Sequence, residues 1–279
     1  MVTSPGQARK FHTLDAMRGV AALGVVTLHS PDYFNGYISS SHLAVDFFFL
    51  LSGFVLAHAY DARLRAPRAV GWFMGVRLIR LYPLYLLGLL LGLIALGLHF
   101  IRGDSPISAA AVGPAIGAGL FMLPTPPVYG IGDPFPINGP SWSLFLELLV
   151  NLIFALVVSR LTNRVLIIIV AAAGIALIAT GLHFQTLHVG WLWATIWAGL
   201  PRVFFSFFLG VLMYRNRHSW TVITKFAWIW PLILALILLC RPQEPIRPWF
   251  ELAAVLIVFP ALLFIASAHE PGAYGAKVW

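Results

Sequence analysis

The sequence predicts an all-α fold, a polytopic transmembrane helical bundle. Of its 279 residues, 60% are hydrophobic and only 10% are charged, whereas an ordinary soluble domain carries about 25% charged residues. Mean hydropathy is +0.87, and apolar stretches recur along the whole chain. We therefore expect residues 1–279 to form one integral domain embedded in the lipid bilayer, with no sizeable soluble part.

Apolar stretches recur in a series that predicts the spans. A spanning helix needs about 20 mostly apolar residues. The stretches lie near 14–31, 43–60, 78–100, 141–159, 165–182, 191–214, 227–240 and 250–267. A ninth stretch, 108–123, is short and contains Pro114 and several glycines, so it either crosses or re-enters the membrane. The expected count is therefore eight to nine spans.

Polar residues form one stripe on the first predicted helix, which reads LDAMRGVAALGVVTLH. At about 100° per residue, the step from Arg18 to His29 returns to within roughly 20° of the same face, and Asp15 lies close to it. Arg18 and His29 would lie roughly 16 Å apart along the axis. Ionisable groups are costly in hydrocarbon, so we expect the stripe to face the protein interior or a water-filled cavity.

The basic residues predict an orientation. If 108–123 does not cross, three loops without Lys or Arg share the outer side: 31–42, 124–140 and 183–190. The cytoplasmic side then receives the N-terminus and the clusters Arg9/Lys10, Arg63/Arg65/Arg68, Arg160/Arg164 and Arg215/Arg217/Lys225, and Arg102, Arg241 and Arg247 remain outside. If it crosses, the middle clusters move outside. We prefer the first arrangement, because basic residues favour the cytoplasmic side. The net charge of +8 then reflects membrane orientation rather than nucleic-acid binding.

The preferred topology separates two groups of polar residues by depth. Near the cytoplasmic side lie Arg18, Arg77 and Arg80, and toward the outer half lie His29, Asp46 and Glu147. Guanidinium groups pair with phosphates, so the first group predicts an anion site. A histidine near carboxylates suits a general base, so the second group predicts proton transfer.

Four segments carry a family resemblance. In order, LDAMRGVAALGVVTLH, AVDFFFLLSGFVLA (44–57), RLIRLYPLYLLGL (77–89) and PSWSLFLELLVNLIFAL (140–156) resemble the signatures of the acyltransferase family 3 membrane proteins. These inner-membrane enzymes most often O-acetylate envelope sugars or related acceptors. The resemblance implies transfer of an acyl group, usually from cytoplasmic acetyl-CoA, to a hydroxyl of an exported or cell-surface carbohydrate or glycolipid.

The resemblance also assigns roles to residues. Arg18 and His29 match an Arg-x10-His pair in which the histidine is catalytic and the arginine positions the donor. Arg77 and Arg80 match an Arg-x-x-Arg motif linked to the donor phosphates, and Glu147 matches the acidic position after the Trp-Ser-Leu motif. Either Asp46 or Glu147 would orient His29, and the sequence does not choose between them.

Each assignment has a plainer interpretation. His29 caps the first helix, and Arg77 and Arg80 act as positive-inside anchors. The pair Ser52 and Gly53 packs helices rather than acting as a nucleophile, because no nucleophile elbow surrounds Ser52. A lone Cys240 excludes a cysteine-based zinc site, and no zinc-protease or Walker motif occurs, so we expect no metal cofactor.

Two rival functions remain open. Buried charges also mark transporter or flippase pathways, although no convincing inverted repeat is visible. The chain also stops at AYGAKVW, where the family's last helices would begin. We therefore expect a fragment, a truncated gene or a short variant, whose cavity would open to lipid. Such a chain would be an inactive relative, or it would act alone, with a second copy or with a separate acceptor-side transferase.

Overall fold

The chain is predominantly helical, as predicted. The computed structural model describes residues 10–30, 40–66, 69–217 and 220–272. Among these the α-helices are α1 (His12–Leu28), α2 (Ala44–Tyr60), α3 (Ala69–Arg102), α4 (Ala109–Leu120), α5 (Ser141–Val157), α6 (Asn163–Phe184), α7 (Gly199–Arg215), α8 (Ile229–Leu239), α9 (Arg247–Ala253) and α10 (Phe259–Ala266). A π-helical turn, Ala254–Val258, joins α9 to α10, and short 3-10 helices lie at Ser40–Leu43, Arg63–Arg65, Pro127–Tyr129 and Trp193–Ala198.

Five helical segments of the described chain are long and apolar enough to cross a membrane. They are Ser40–Tyr60, Ala69–Arg102, Asn163–Phe184, Trp193–Arg215 and Arg247–Ala266. The apolar helices α4, α5 and α8 are shorter, with 12, 17 and 11 residues. At 12 and 11 residues, α4 and α8 fall below the roughly 17–25 residues that one span needs, whereas α5 lies at the lower limit. The count of eight to nine spans therefore stays a prediction.

Two helices differ from their predicted extents. Helix α3 begins at Ala69 rather than near 78 and runs for 34 residues, about 51 Å and well beyond a hydrocarbon core of about 30 Å. Arg77 and Arg80 therefore lie inside a helix and not at its start. Helix α4 has only 12 residues, about 18 Å, so it is too short to cross alone.

The chain forms two compact units. The first comprises Met1–Asp61, Thr162–His188 and Phe204–Trp279, and the second comprises Ala62–Leu161 and Val189–Val203. Helices α1, α2, α6, α8, α9 and α10 belong to the first unit, and α3, α4 and α5 belong to the second. Each unit has its own apolar core.

Glycines allow the helices of the first unit to approach closely. A Cβ on Gly53 of α2 would lie 1.9 Å from the Phe207 carbonyl oxygen of α7, and one on Gly210 would lie 2.1 Å from the Leu50 carbonyl oxygen. No side chain fits at either position, because atoms at such distances overlap. The packing role predicted for Gly53 is therefore confirmed.

A short sheet in the first unit was not predicted. Strands β1 (Val222–Thr224) and β2 (His269–Pro271) pair in parallel. The Glu270 Oε2 atom accepts a hydrogen bond from the His12 backbone N–H at 3.1 Å, which joins the sheet to the start of α1. Strands of three residues are too short to show an alternating pattern, so they leave no signal in the sequence.

In the second unit, α3 packs against the loop before α5. A Cβ on Gly92 would lie 1.8 Å from the Ile137 carbonyl oxygen. The Tyr85 hydroxyl donates to the Gly119 carbonyl oxygen at the end of α4. These contacts join the middle of α3 to both α4 and the loop 124–140.

Candidate functional site

The polar stripe of α1 lies outside the packed face of that helix. Leu14, Met17 and Ala21 are buried in the core of the first unit, whereas Asp15 and His29 are exposed. Apolar residues at intervals of three and four occupy the face that packs, and the polar stripe lies roughly 100° around the helix from it. The stripe is therefore not part of the packed core of the first unit, and a water-filled cavity beside it stays a prediction.

Arg18 forms an ion pair within this stripe. Its Nη1 atom lies 2.7 Å from Asp15 Oδ1, one helical turn earlier. The two side chains are 36% and 59% exposed, so the pair gains little stability over solvated charges. The Arg18 guanidinium can therefore exchange this carboxylate for another anion at small cost.

His29 caps the carboxyl end of α1 and is held by the backbone. Its Nδ1 atom lies 2.9 Å from the Val25 carbonyl oxygen. A carbonyl oxygen only accepts, so Nδ1 carries the proton of the neutral ring and Nε2 keeps its lone pair. The exposed imidazole can therefore accept a proton at Nε2.

Asp46 lies in the first turn of α2, where its side chain is buried at 1% relative exposure. The positive end of the helix dipole favours a carboxylate at this position. Among the described residues, the His29 ring contacts the Val25 carbonyl, and orientation of His29 by Asp46 or Glu147 stays a prediction. The carbonyl fixes the tautomer, which is the task predicted for a carboxylate.

Arg77 and Glu147 form a buried ion pair in the second unit. Arg77 Nη2 donates to Glu147 Oε1 at 2.6 Å, and the side chains are 7% and 18% exposed. This contact joins α3 to α5 and puts the two charges at one depth. The prediction that separated Arg77 from Glu147 by depth is therefore wrong.

Arg80 differs from Arg77 although only three residues separate them. Arg80 is exposed on α3, whereas Arg77 is buried. The 300° turn between the two positions directs them to different surroundings. The two arginines of the Arg-x-x-Arg motif therefore have different ligands available to them.

A polar cluster that the sequence did not predict surrounds Glu251 in the first unit. This α9 carboxylate is 0% exposed. Its Oε1 atom lies 2.9 Å from Arg247 Nε and 3.2 Å from His42 Nε2. Its Oε2 atom accepts from the Thr186 hydroxyl at 3.0 Å and from the Leu187 backbone N–H at 2.5 Å. One buried carboxylate thus joins three segments of the chain.

The cluster brings together loops that the topology predicted on one side. The ring of His42 stacks on that of His188, with centroids 4.9 Å apart, and the Ser40 backbone N–H donates to the Cys240 carbonyl oxygen at 2.9 Å. The ends of loops 31–42 and 183–190 therefore meet residues 240–251. A carboxylate inside the apolar stretch 250–267 is the signal that would have found this cluster, because such groups are functional by default.

Arg202 is a second buried residue for which the sequence predicted no role. It is 1% exposed in the second unit, where its Nη1 atom donates to the Val189 carbonyl oxygen at 2.7 Å. Its guanidinium carbon lies 5.3 Å from the ring centroid of Trp142, the tryptophan of the Trp-Ser-Leu motif. The contact fits a cation–π interaction, so this tryptophan supports a buried cation.

The loop 124–140 is ordered by polar contacts in the second unit. Asp133 Oδ1 accepts from the Phe135 backbone N–H at 2.7 Å. Burial raises the pKa of the Asp133 carboxyl above its ordinary value, and the Phe135 hydrogen bond opposes this shift. Trp193 donates through Nε1 to the Thr125 carbonyl oxygen at 3.0 Å, which joins the loop to the segment before α7.

Among the described residues, no group of three or more His, Cys, Asp or Glu side chains is arranged to hold a metal ion. The polar clusters contain arginine beside carboxylate, and such pairs neutralise each other. The chemistry that these groups can perform is anion binding and proton transfer.

Comparison with known proteins identifies the family. The model of acyltransferase family 3, described as an acyltransferase domain, matches residues 11–277. Protein 2 in the picA locus of Rhizobium radiobacter is 36% identical over 190 residues, which cover 65% of this chain and all of that protein. The acyltransferase MdmB of Streptomyces mycarofaciens is 28% identical over 278 residues, which cover 91% of this chain and 63% of MdmB. This chain thus spans less than two thirds of MdmB. No solved structure gives a significant match. The chain belongs to acyltransferase family 3.

Proposed function

We propose that this membrane acyltransferase moves an acetyl group from cytoplasmic acetyl-CoA to a hydroxyl of an exported or cell-surface carbohydrate. The observation that carries the proposal is the environment of His29. Its Nδ1 atom faces the Val25 carbonyl at 2.9 Å, so the neutral ring offers Nε2 as a base. The side chain is exposed, and a substrate hydroxyl can reach it.

The chemical step follows from this arrangement. His29 Nε2 takes the proton of the acceptor hydroxyl while the hydroxyl oxygen attacks the thioester carbonyl carbon. The carbon–sulfur bond then breaks and the thiolate of CoA leaves. The imidazolium returns its proton to the thiolate, so the products are an O-acetyl ester and CoA with a free thiol.

The donor phosphates would be bound by exposed arginines. Arg18 has only a weak ion pair with Asp15, and Arg80 is exposed, so both offer charge-assisted hydrogen bonds to phosphate. Arg18 precedes His29 by roughly 16 Å of helix. The long pantetheine arm of CoA matches such a separation. We assign Arg77 a different role, the neutralisation of Glu147.

We further propose eight to nine spans in the inner membrane, with a cytoplasmic N-terminus. The absence of Lys and Arg from the loop 124–140 supports an arrangement in which 108–123 does not cross, which corresponds to eight spans. The donor would enter from the cytoplasm and the acceptor from outside, so CoA itself would never cross.

Thiol labelling tests this topology. A cysteine at Gly132 or at Arg217, each in a Cys240→Ala background, is exposed to a membrane-impermeant reagent in intact cells. Both positions are exposed, and a Cβ at Gly132 meets no atom within 4 Å. We expect labelling at position 132 and none at 217. The reverse pattern would overturn the orientation.

Transfer from labelled acetyl-CoA tests the activity. The purified protein, reconstituted in lipid vesicles with envelope carbohydrate on the acceptor side, should move the label into an ester that mild base releases. A transporter or an inactive relative would leave acetyl-CoA intact. Absence of any ester from properly inserted protein would reject the proposal.

A further inference from the structure

A polar cavity of about 160 Å³ lies beside the buried cluster of the first unit. Its polar lining includes His42, Arg241, Gln243, Glu244, Arg247 and Glu251. The first and last of these residues are buried, with 3% and 0% exposure, whereas Gln243 and Glu244 are exposed. The cavity therefore has a buried polar floor and an accessible rim.

Glu251 fixes the geometry of the floor. Its carboxylate accepts hydrogen bonds from the Leu187 N–H, the Thr186 hydroxyl and the Arg247 Nε–H. Its Oε1 atom also lies 3.2 Å from His42 Nε2. Because Arg247 contacts this carboxylate through Nε, the Glu251 contact leaves the terminal amino groups of the guanidinium available to a ligand. The floor thus presents donors whose positions are set before a ligand arrives.

The arginine and carboxylate charges of the lining balance. Arg241 and Arg247 carry two positive charges, and Glu244 and Glu251 carry two negative ones. A site for the phosphates of CoA would need an excess of positive charge. Balanced donors and acceptors in one small cavity suit a neutral ligand with several hydroxyl groups.

The cavity lies at the same end of the first unit as His29. Thr27, two residues before His29, places its Oγ1 atom 3.3 Å from Ser41 Oγ, and Ser41 precedes the cavity residue His42. The carboxyl end of α1 and the floor of the cavity are therefore adjacent. A ligand in the cavity would lie on the side from which the acceptor is expected to approach His29.

We propose that this cavity binds the acceptor of the transfer reaction and that the acceptor is a neutral carbohydrate. The inference rests on the proposed function. The terminal amino groups of Arg247 hydrogen-bond sugar hydroxyls from the floor, and Gln243 and Glu244 do so from the rim. Glu251 is a positioning residue that holds Arg247 and the ring of His42.

Kinetics with simple acceptors test the cavity. The probes are the methyl glycosides of glucose, galactose, rhamnose and N-acetylglucosamine, compared with glucuronic acid and glucose 6-phosphate. The neutral glycosides should be the better acceptors. Arg247→Ala and Gln243→Ala should each raise the KM for the preferred glycoside, by about tenfold for the arginine, and leave the affinity for acetyl-CoA unchanged. Arg164→Ala, an exposed arginine at the start of α6, is the matched control and should change neither value.

A measurement without turnover separates failure of the cavity from failure of the reaction. Gln243→Cys in a Cys240→Ala background is labelled with a thiol reagent, with and without the same glycosides. The glycosides should slow labelling, and Arg247→Ala should remove this protection. Protection without acetyl transfer would reject the proposed reaction but retain the cavity. Transfer without protection of the introduced thiol, and with an unchanged KM in both alanine variants, would reject the cavity and retain the reaction.

Discussion

Two arginine–carboxylate pairs of nearly equal length lie in different surroundings. Arg77 and Glu147 are 2.6 Å apart with side chains 7% and 18% exposed. Arg18 and Asp15 are 2.7 Å apart with side chains 36% and 59% exposed. The sequence assigned both arginines to one anion site. Their distances are alike, so burial is what distinguishes them.

Burial decides what each arginine can do. An exposed ion pair is worth about 0–1 kcal/mol, because solvated charges lose little when they separate. Breaking a buried pair leaves one charge without compensation, which costs about 3–5 kcal/mol. Arg18 can therefore release Asp15 to bind a ligand, whereas Arg77 stays paired with Glu147.

The largest expected effect is on stability. Arg77→Ala should destabilise the protein by about 3–5 kcal/mol, and Arg18→Ala by no more than about 1 kcal/mol. Thermal unfolding in detergent micelles measures the difference. Replacing both partners with apolar residues, Arg77→Met with Glu147→Leu, should recover most of the loss, because no buried charge is left alone. Equal losses in the two single variants would contradict the comparison.

A smaller effect is expected on donor binding. Arg18→Ala and Arg80→Ala should each weaken acetyl-CoA binding about tenfold, or about 1.4 kcal/mol, through loss of a charge-assisted hydrogen bond. The paired variant Arg77→Met with Glu147→Leu should retain the affinity. Isothermal calorimetry measures all three, with Arg164→Ala as the control. Unchanged affinity in Arg18→Ala and Arg80→Ala would show that these arginines do not bind the donor and serve only membrane orientation.

The smallest expected effect concerns the Asp133 carboxylate, which accepts a hydrogen bond from the Phe135 backbone N–H. Burial raises the pKa of Asp133, so the folded state binds its proton more tightly than the unfolded state does. The stability that this group contributes is present at low pH and is lost as pH rises from the ordinary carboxyl range through the raised value. Asp133→Asn keeps an acceptor for Phe135 N–H and removes the titration.

The thermal midpoint as a function of pH measures this difference. As pH rises through that window, the thermal midpoint of Asp133→Asn should increase relative to that of the wild type. The two midpoints should converge in acid. A wild-type midpoint that instead increases relative to that of Asp133→Asn as pH rises would contradict the assigned direction of the pKa shift.

Local patterns made much of the fold predictable. Runs of apolar residues located α2, α6 and most of α7, because a spanning helix needs a long apolar segment. The same signal underestimated α3, whose first turns contain Gly71 and Gly75 beside the basic residue Arg77. Hydropathy falls there although the helix continues, so the start of the helix was misplaced.

The candidate site was less predictable because its contacts are long-range. Motif spacing identified Arg18 and His29, which share one helix. The pairing of Arg77 with Glu147 joins residues 70 positions apart, and that of Glu251 with Leu187 joins residues 64 positions apart. Neither pairing leaves a local pattern in the chain. The polarity of Glu251 within an apolar stretch was visible, but its partners were set only by packing.

The most direct test of the proposed chemistry is the transfer rate of His29→Ala with and without free imidazole. We expect a loss of about 10²–10⁴-fold in kcat, with an unchanged thermal midpoint and acetyl-CoA affinity, because the side chain is exposed and contacts only a backbone carbonyl in the described part of the chain. Added imidazole should restore part of the rate by replacing the missing base. Wild-type turnover by properly inserted His29→Ala would contradict the role of His29 as the base.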